Sequence, residues 1–194
     1  MLDLKTIDKS WTLFLDRDGV LNHEKEMDYV LNFTEFHFYE GVLDAIRCFN
    51  SIFARILIVT NQRGVEKQLM TEDDLLELHK EMMAKIEGSG GKVDALFYCT
   101  ALNNDHPNRK PNPGMALLAK ESFPAIEFSK SIMVGNNLSD MLFGRNAGMH
   151  TVFVKTTNPG LPLPDPSIDL ACENLVEFAD ILRKSVQNRA MSHE

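Results

Sequence analysis

Two aspartates, Asp16 and Asp18, close the apolar run that begins at Trp11, stand two residues apart and are followed at once by Gly19, in the string LFLDRDGVLN. Carboxylates this close repel one another, which raises the pKa of one of them or recruits a divalent cation. Taken alone, Asp-x-Asp-Gly is also an ordinary turn. With a cation on the same centre, an aspartate becomes a usable nucleophile toward phosphate, because the metal offsets the negative charge of the group under attack. Basic residues suited to an anion lie further on, with Arg63 after Gln62 and Arg109 beside Lys110. A guanidinium suits a second phosphate or a carboxylate. Arg63 reads equally well as a solvated loop charge.

Such groups need a rigid frame. Apolar runs at residues 11–15, 56–59, 95–98, 132–134 and 151–154 are short, continuous and bounded by polar turns, the pattern of strands buried on both faces. Helical patterns separate them. Val42, Ile46 and Phe49 recur at helical spacing over 41–53, and Thr71 with Asp73 and Asp74 marks the start of a helix running to about residue 87. Further helices are predicted over 115–122, over 138–146 with a stop at Gly148, and over 175–185. Strand and helix thus alternate, which predicts an α/β domain, a doubly wound parallel sheet flanked by helices, with its site beyond the carboxyl ends of the strands. The proline- and glycine-rich stretch 156–169 reads as a surface loop. One domain is expected over 1–186, with 187–194 a frayed tail.

The bulk numbers narrow the function classes. Hydrophobic residues at 44% and charged residues at 25% are globular values and exclude a disordered or fibrous chain. A formal net charge of -8 disfavours nucleic acid and anionic lipid as partners, including polynucleotide phosphate ends. No stretch approaches membrane-spanning length, and MLDLKTIDKSW lacks the apolar run of a signal peptide. Cys48, Cys99 and Cys172 are odd in number and widely spaced, which points to a reducing cytoplasm rather than a disulfide framework.

Four strand-end strings in order, LFLDRDGVLN, ILIVTNQRG, NRKPNPGM and IMVGNNLSDM, resemble the motifs of the haloacid-dehalogenase (HAD) superfamily. The likeness covers roughly residues 11–154, and DYV, VTNQRGV and RKPNPGM look like the branch holding heptose bisphosphate and histidinol phosphatases, the heptose side more so. The resemblance implies a magnesium-dependent phosphatase of a small phosphate monoester. Asp16 is then the nucleophile, and Asp18 protonates the leaving alkoxide and later takes a proton from water, so its protonated form must be reachable near neutral pH. Thr60 and Lys110 hold the phosphoryl oxygens where charge builds. Asn61, Gln62, Arg63 and Arg109 are expected to bind substrate, the two amides through sugar hydroxyls. Tyr29 belongs to a loop over the pocket or to packing. A histidinol-phosphate phosphatase, or a weakly catalytic phosphosugar-binding protein, is the alternative.

Two departures from the family pattern matter. The fourth motif usually begins Gly-Asp, whereas here it runs Gly135, Asn136, Asn137, so the metal set implied by the resemblance is Asp16, Asp18 and Asn136, with Asp140 behind them. An amide oxygen is acceptable to magnesium but supplies no charge, and Asn136→Asp is expected to strengthen binding. Relatives also carry a cysteine- and histidine-rich zinc loop. Here CTALNNDHPN offers only Cys99 and His106, two short of a closed site, so no structural zinc is expected. His23, His37, His79, His150 and His193 show no ligand spacing and read as surface or packing residues. Only about twenty residues separate Gly19 from Gly41, which leaves little or no cap and an open site. The oligomeric state has no signature in the sequence.

Overall fold

The computed structural model describes residues 2–25 and 28–191. His193 and positions 192–194 of the expected tail lie outside the described residues. Six strands, β1 (Thr12–Leu15), β2 (Arg55–Asn61), β3 (Ala95–Cys99), β4 (Ser131–Gly135), β5 (His150–Val154) and β6 (Leu170–Cys172), form one sheet in the order β3-β2-β1-β4-β5-β6. Every pairing is parallel, with Leu13 opposite Ile56 on one side and Ile132 on the other.

Alternation along the strands sorts the core into two layers. Leu13, Leu15, Ile56, Ile58, Ile132 and Val134 point to one face. There they pack with Phe49 of α1 (Val42–Ile52), Met82 of α2 (Glu72–Gly88) and Phe178 of α5 (Leu175–Met191). Phe14, Leu57, Val59 and Met133 point to the other, against Met115 of α3 (Gly114–Ser122) and Phe143 of α4 (Leu138–Ala147). All four residues of β1 are buried, which a strand covered on both faces requires. Full burial of each large apolar side chain contributes about 1.5–3 kcal/mol, so the frame holding the strand ends is stiff.

The five expected strands and five expected helices are present, with two differences at the end of the chain. The sheet has a sixth, edge strand at Leu170–Cys172, a run of only three residues directly after the proline-rich loop. The last helix runs to Met191 rather than stopping near residue 185, and Val186 still packs against the core there. Between Gly19 and Gly41 the described chain forms turns and isolated bridges, with no helix or strand. The cap is therefore a loop. No helix among the described residues is long and apolar enough to cross a membrane.

Candidate active site

β1, β2 and β4 are neighbours at the middle of the sheet, and their carboxyl ends bring Asp16, Thr60 and Asn136 to one edge. The strand order reverses between β1 and β4, which is where an open α/β sheet leaves a crevice. A cavity of about 560 Å³ opens there, with Asp16, Asp18, Thr60, Lys110 and Asp140 on its floor and Lys25, Tyr29, Arg63, Lys67 and Arg109 on its walls.

Lys110 ties the floor together. Its ammonium lies 2.8 Å from Asp16 Oδ1 and 2.7 Å from Asp140 Oδ1, and donates to the Val59 carbonyl at 2.9 Å. Burial presses Lys110 toward the neutral form, but the Asp140 and Asp16 carboxylates more than offset this and raise its pKa. Asp140 Oδ2 in turn accepts from the amides of Asn136 and Asn137, closing a capping box on α4. Asp16 accepts from the Arg17 amide at 2.8 Å. Its carboxyl is pushed up to about 7 by burial first and by the Asp140 charge second, with Lys110 only partly compensating.

Asp18 is held quite differently. Arg17, fully buried, turns its guanidinium back onto the neighbouring carboxylate with Nη2 2.9 Å from both oxygens. Asn22 donates to Oδ1 at 2.9 Å and Gln62 to Oδ2 at 2.8 Å. Burial disfavours the charge, yet Arg17 and these hydrogen bonds outweigh it and keep the carboxyl below the usual carboxylate range. The expectation of an acid reachable near neutral pH is therefore not met in this arrangement. His79 stands behind Arg17, with Nε2 3.0 Å from Nη1. Burial, then the Arg17 charge, depress its pKa to about 3, so it stays neutral and accepts from Arg17.

The two amides also hold the floor together. Asn61 brackets the Lys110 peptide, donating one N–H to its carbonyl and accepting from its N–H, each at 3.1 Å, and lines the cavity. Gln62 donates to Asp18 and, at 2.9 Å, to Thr60 Oγ1, which leaves neither of its N–H groups for a sugar. Both stiffen the floor. Arg63 and Arg109 converge on one oxygen, Asn104 Oδ1, at 3.1 and 3.2 Å, and Arg109 also donates to the Ala101 carbonyl. Burial and then Arg63 lower the pKa of Arg109, as expected for two guanidiniums side by side. Neither forms a salt bridge among the described residues. Tyr29 lies on the wall with the Lys67 ammonium 4.9 Å from its ring centre.

Asn136 is fully buried, and its Oδ1 has no hydrogen-bond partner. Its side chain lies against Gly19, whose φ of +79° and missing Cβ permit the approach; a methyl there would strike the amide. The loop at 156–158, which its composition marks only as surface, reaches in to the same place. Thr156 donates to the Gly19 carbonyl, Thr157 accepts from Asn136 Nδ2, and Asn158 donates to the Asn136 carbonyl at 2.7 Å. No three carboxylate, imidazole or thiolate groups among the described residues are arranged to hold a metal ion. A cation beside Asp16 and Asp18 would thus take an amide oxygen, and the partnerless Oδ1 fits that need. In the loop after β3, Cys99 Sγ and His106 Nδ1 are 3.6 Å apart.

Comparison with known proteins identifies the family. The chain is 36% identical over 146 residues to the D-glycero-alpha-D-manno-heptose-1,7-bisphosphate 7-phosphatase of Campylobacter jejuni, covering 75% of this chain and 83% of the relative. This chain belongs to the haloacid-dehalogenase family. It is a HAD-type phosphoric monoester hydrolase. A HAD-hydrolase-like family model matches residues 107–175. The D-glycero-beta-D-manno-heptose-1,7-bisphosphate 7-phosphatase of Escherichia coli is 30% identical over 185 residues, with 89% of this chain and 94% of the relative covered. Among solved HAD structures, D,D-heptose 1,7-bisphosphate phosphatase from B. bronchiseptica, complexed with magnesium and phosphate, superposes with a TM-score of 0.80 at 26% identity, over 90% of this chain and 98% of the other.

Proposed function

We propose that this HAD hydrolase is a magnesium-dependent sugar-bisphosphate phosphatase that releases the 7-phosphate of D-glycero-D-manno-heptose 1,7-bisphosphate through an aspartyl phosphate on Asp16. The relatives' activities support the substrate. The observation that carries it in this chain is the pair Arg63 and Arg109 on the cavity wall, two guanidiniums sharing one amide oxygen with no carboxylate salt-bridged to either among the described residues. Guanidiniums so placed favour an anion remote from the reacting centre, as a second phosphate would be.

In this reading Asp16 Oδ attacks phosphorus as the bond to the sugar oxygen breaks, and Lys110 and Thr60 hold the phosphoryl oxygens. Lys110 already sits 2.8 Å from Asp16, so nucleophile and counter-charge are positioned in advance. Asp18, held ionised by Arg17 and Gln62, is set to take the proton of the water that cleaves the aspartyl phosphate. Protonating the leaving alkoxide requires its carboxyl first to leave the Arg17 fork and take up a proton from solvent, which passes to the sugar oxygen and is replaced by the proton of that water. Asp16, the Asp18 main chain and Asn136 would hold magnesium, which, when bound, offsets phosphoryl charge and aligns the attack.

Phosphate release from heptose bisphosphate, a heptose monophosphate and histidinol phosphate, each with and without magnesium, tests the proposal. Turnover should require magnesium, favour the bisphosphate and vanish in Asp16→Asn. Arg109→Ala should lower kcat/KM for the bisphosphate well beyond its effect on the monophosphate. Folded protein without magnesium-dependent turnover refutes the reading, and equal losses on both substrates remove Arg109 from substrate recognition.

A further inference from the structure

We infer that Glu24, on the loop after β1, is a positioning residue for the cation site, orienting the Asn136 amide and supplying the negative charge that position 136 lacks. This rests on the magnesium-dependent reading above. The Asn136 amide is fixed end for end. Its Nδ2 donates to Thr157 Oγ1 at 2.6 Å and to Glu24 Oε2 at 3.2 Å, while Oδ1, equally buried, has no donor. A buried amide oxygen left bare forfeits its hydration without recompense unless something outside the protein satisfies it. After a flip the Thr157 hydroxyl could still donate to the amide oxygen, but the bond to Glu24 would be lost and Oδ1 would be set against its carboxylate. The oxygen is therefore the end left available.

Its place is equally constrained. The amide packs on Gly19, the residue after Asp18, and Glu24 lines the same cavity as Asp16 and Asp18. An aspartate at 136 would meet Glu24 across the present hydrogen bond, carboxylate against carboxylate. Residues 24 and 136 are thus matched: the acid stands on the loop and the amide on the strand end, the net charge of the pair remaining that of one carboxylate. Outer partners of this kind commonly change metal affinity about 10–100-fold when removed.

Calorimetric titration of the full chain with magnesium chloride, for wild type, Glu24→Gln, Asn136→Asp and the double variant, tests this, alongside thermal melting without metal. Glu24→Gln should bind magnesium about tenfold more weakly while melting close to wild type. Asn136→Asp should gain little affinity and melt lower when Glu24 is kept, and gain at least about tenfold in the Glu24→Gln background, where the repulsion is gone. If Glu24→Gln fails to fold, Glu24→Asp, too short to reach the amide, should weaken binding likewise. Unchanged affinity on losing Glu24, or the same gain from Asn136→Asp in both backgrounds, overturns the inference while leaving the phosphatase reading intact. Wild type that binds no magnesium removes that reading and this inference together.

Discussion

His79 offers a way to read the clamp on Asp18 through stability. The ring is 5% exposed, Nε2 accepts from Arg17, and Nδ1 is buried without a partner. Its pKa in the folded protein is about 3 against an ordinary 6.5. Above pH 6.5 the imidazole is neutral whether the chain is folded or not, so its contribution is complete there. As pH falls below 6.5 the unfolded chain takes up a proton that the folded chain refuses, and stability declines until the folded value near 3 is reached. At about 1.36 kcal/mol per pH unit, the fall between about pH 7 and pH 5 amounts to about 2 kcal/mol. In His79→Gln the side-chain oxygen can still accept from Arg17 but has no proton to gain. Urea unfolding at both pH values should show wild type losing about 2 kcal/mol more than the variant, whatever the variant's stability at pH 7. Equal losses in the two proteins would mean that His79 can be protonated in the folded state, and the account of Arg17 as its donor would fail.

Two further substitutions probe the floor of the site. Lys110→Met strands Asp16 and Asp140 as buried carboxylates and should cost about 3–5 kcal/mol at neutral pH, recovered in part on acidification; an unchanged urea midpoint at pH 7 counts against the ion-pair account. Gly135→Ala drives a methyl into the Asp140 side chain and should destabilise the protein by at least about 2 kcal/mol while loosening the start of α4. Melting at the wild-type temperature would show that α4 can shift freely, against the tight packing described.

What the sequence makes legible is local. Runs such as LFL and ILIVT are apolar because β1 and β2 are covered on both faces, and the next residues, Asp16 and Asn61, mark where the cover ends. Polar groups at such boundaries can be read as a site before any contact is known. Partners set by tertiary approach cannot. Nothing in LELHKEM announces that His79 will meet Arg17 across 62 residues of chain, and nothing in TTNPG announces that Thr157 will hold Asn136. Asn61 and Gln62 stand where substrate-binding groups are expected and line the cavity, but their bonds to the Lys110 peptide and to Asp18 and Thr60 are set by tertiary approach. β6 escapes notice because three residues at a sheet edge carry too little periodicity to register.

The central position of β1, β2 and β4 divides the enzyme into parts that can evolve or be engineered separately. The floor is made of side chains from strand ends, the start of α4 and the Lys110 loop, fastened to one another, so exchanging any of them disturbs its neighbours. The walls belong to the three loops that carry Lys25 and Tyr29, Arg63 and Lys67, and Arg109. Their outer segments can be lengthened or swapped with little disturbance to the sheet, provided that Glu24 and Lys110, which the same loops carry to the floor, are kept. Grafting them from a relative with a different sugar preference onto this floor is a direct route to a hydrolase of altered selectivity and unaltered chemistry.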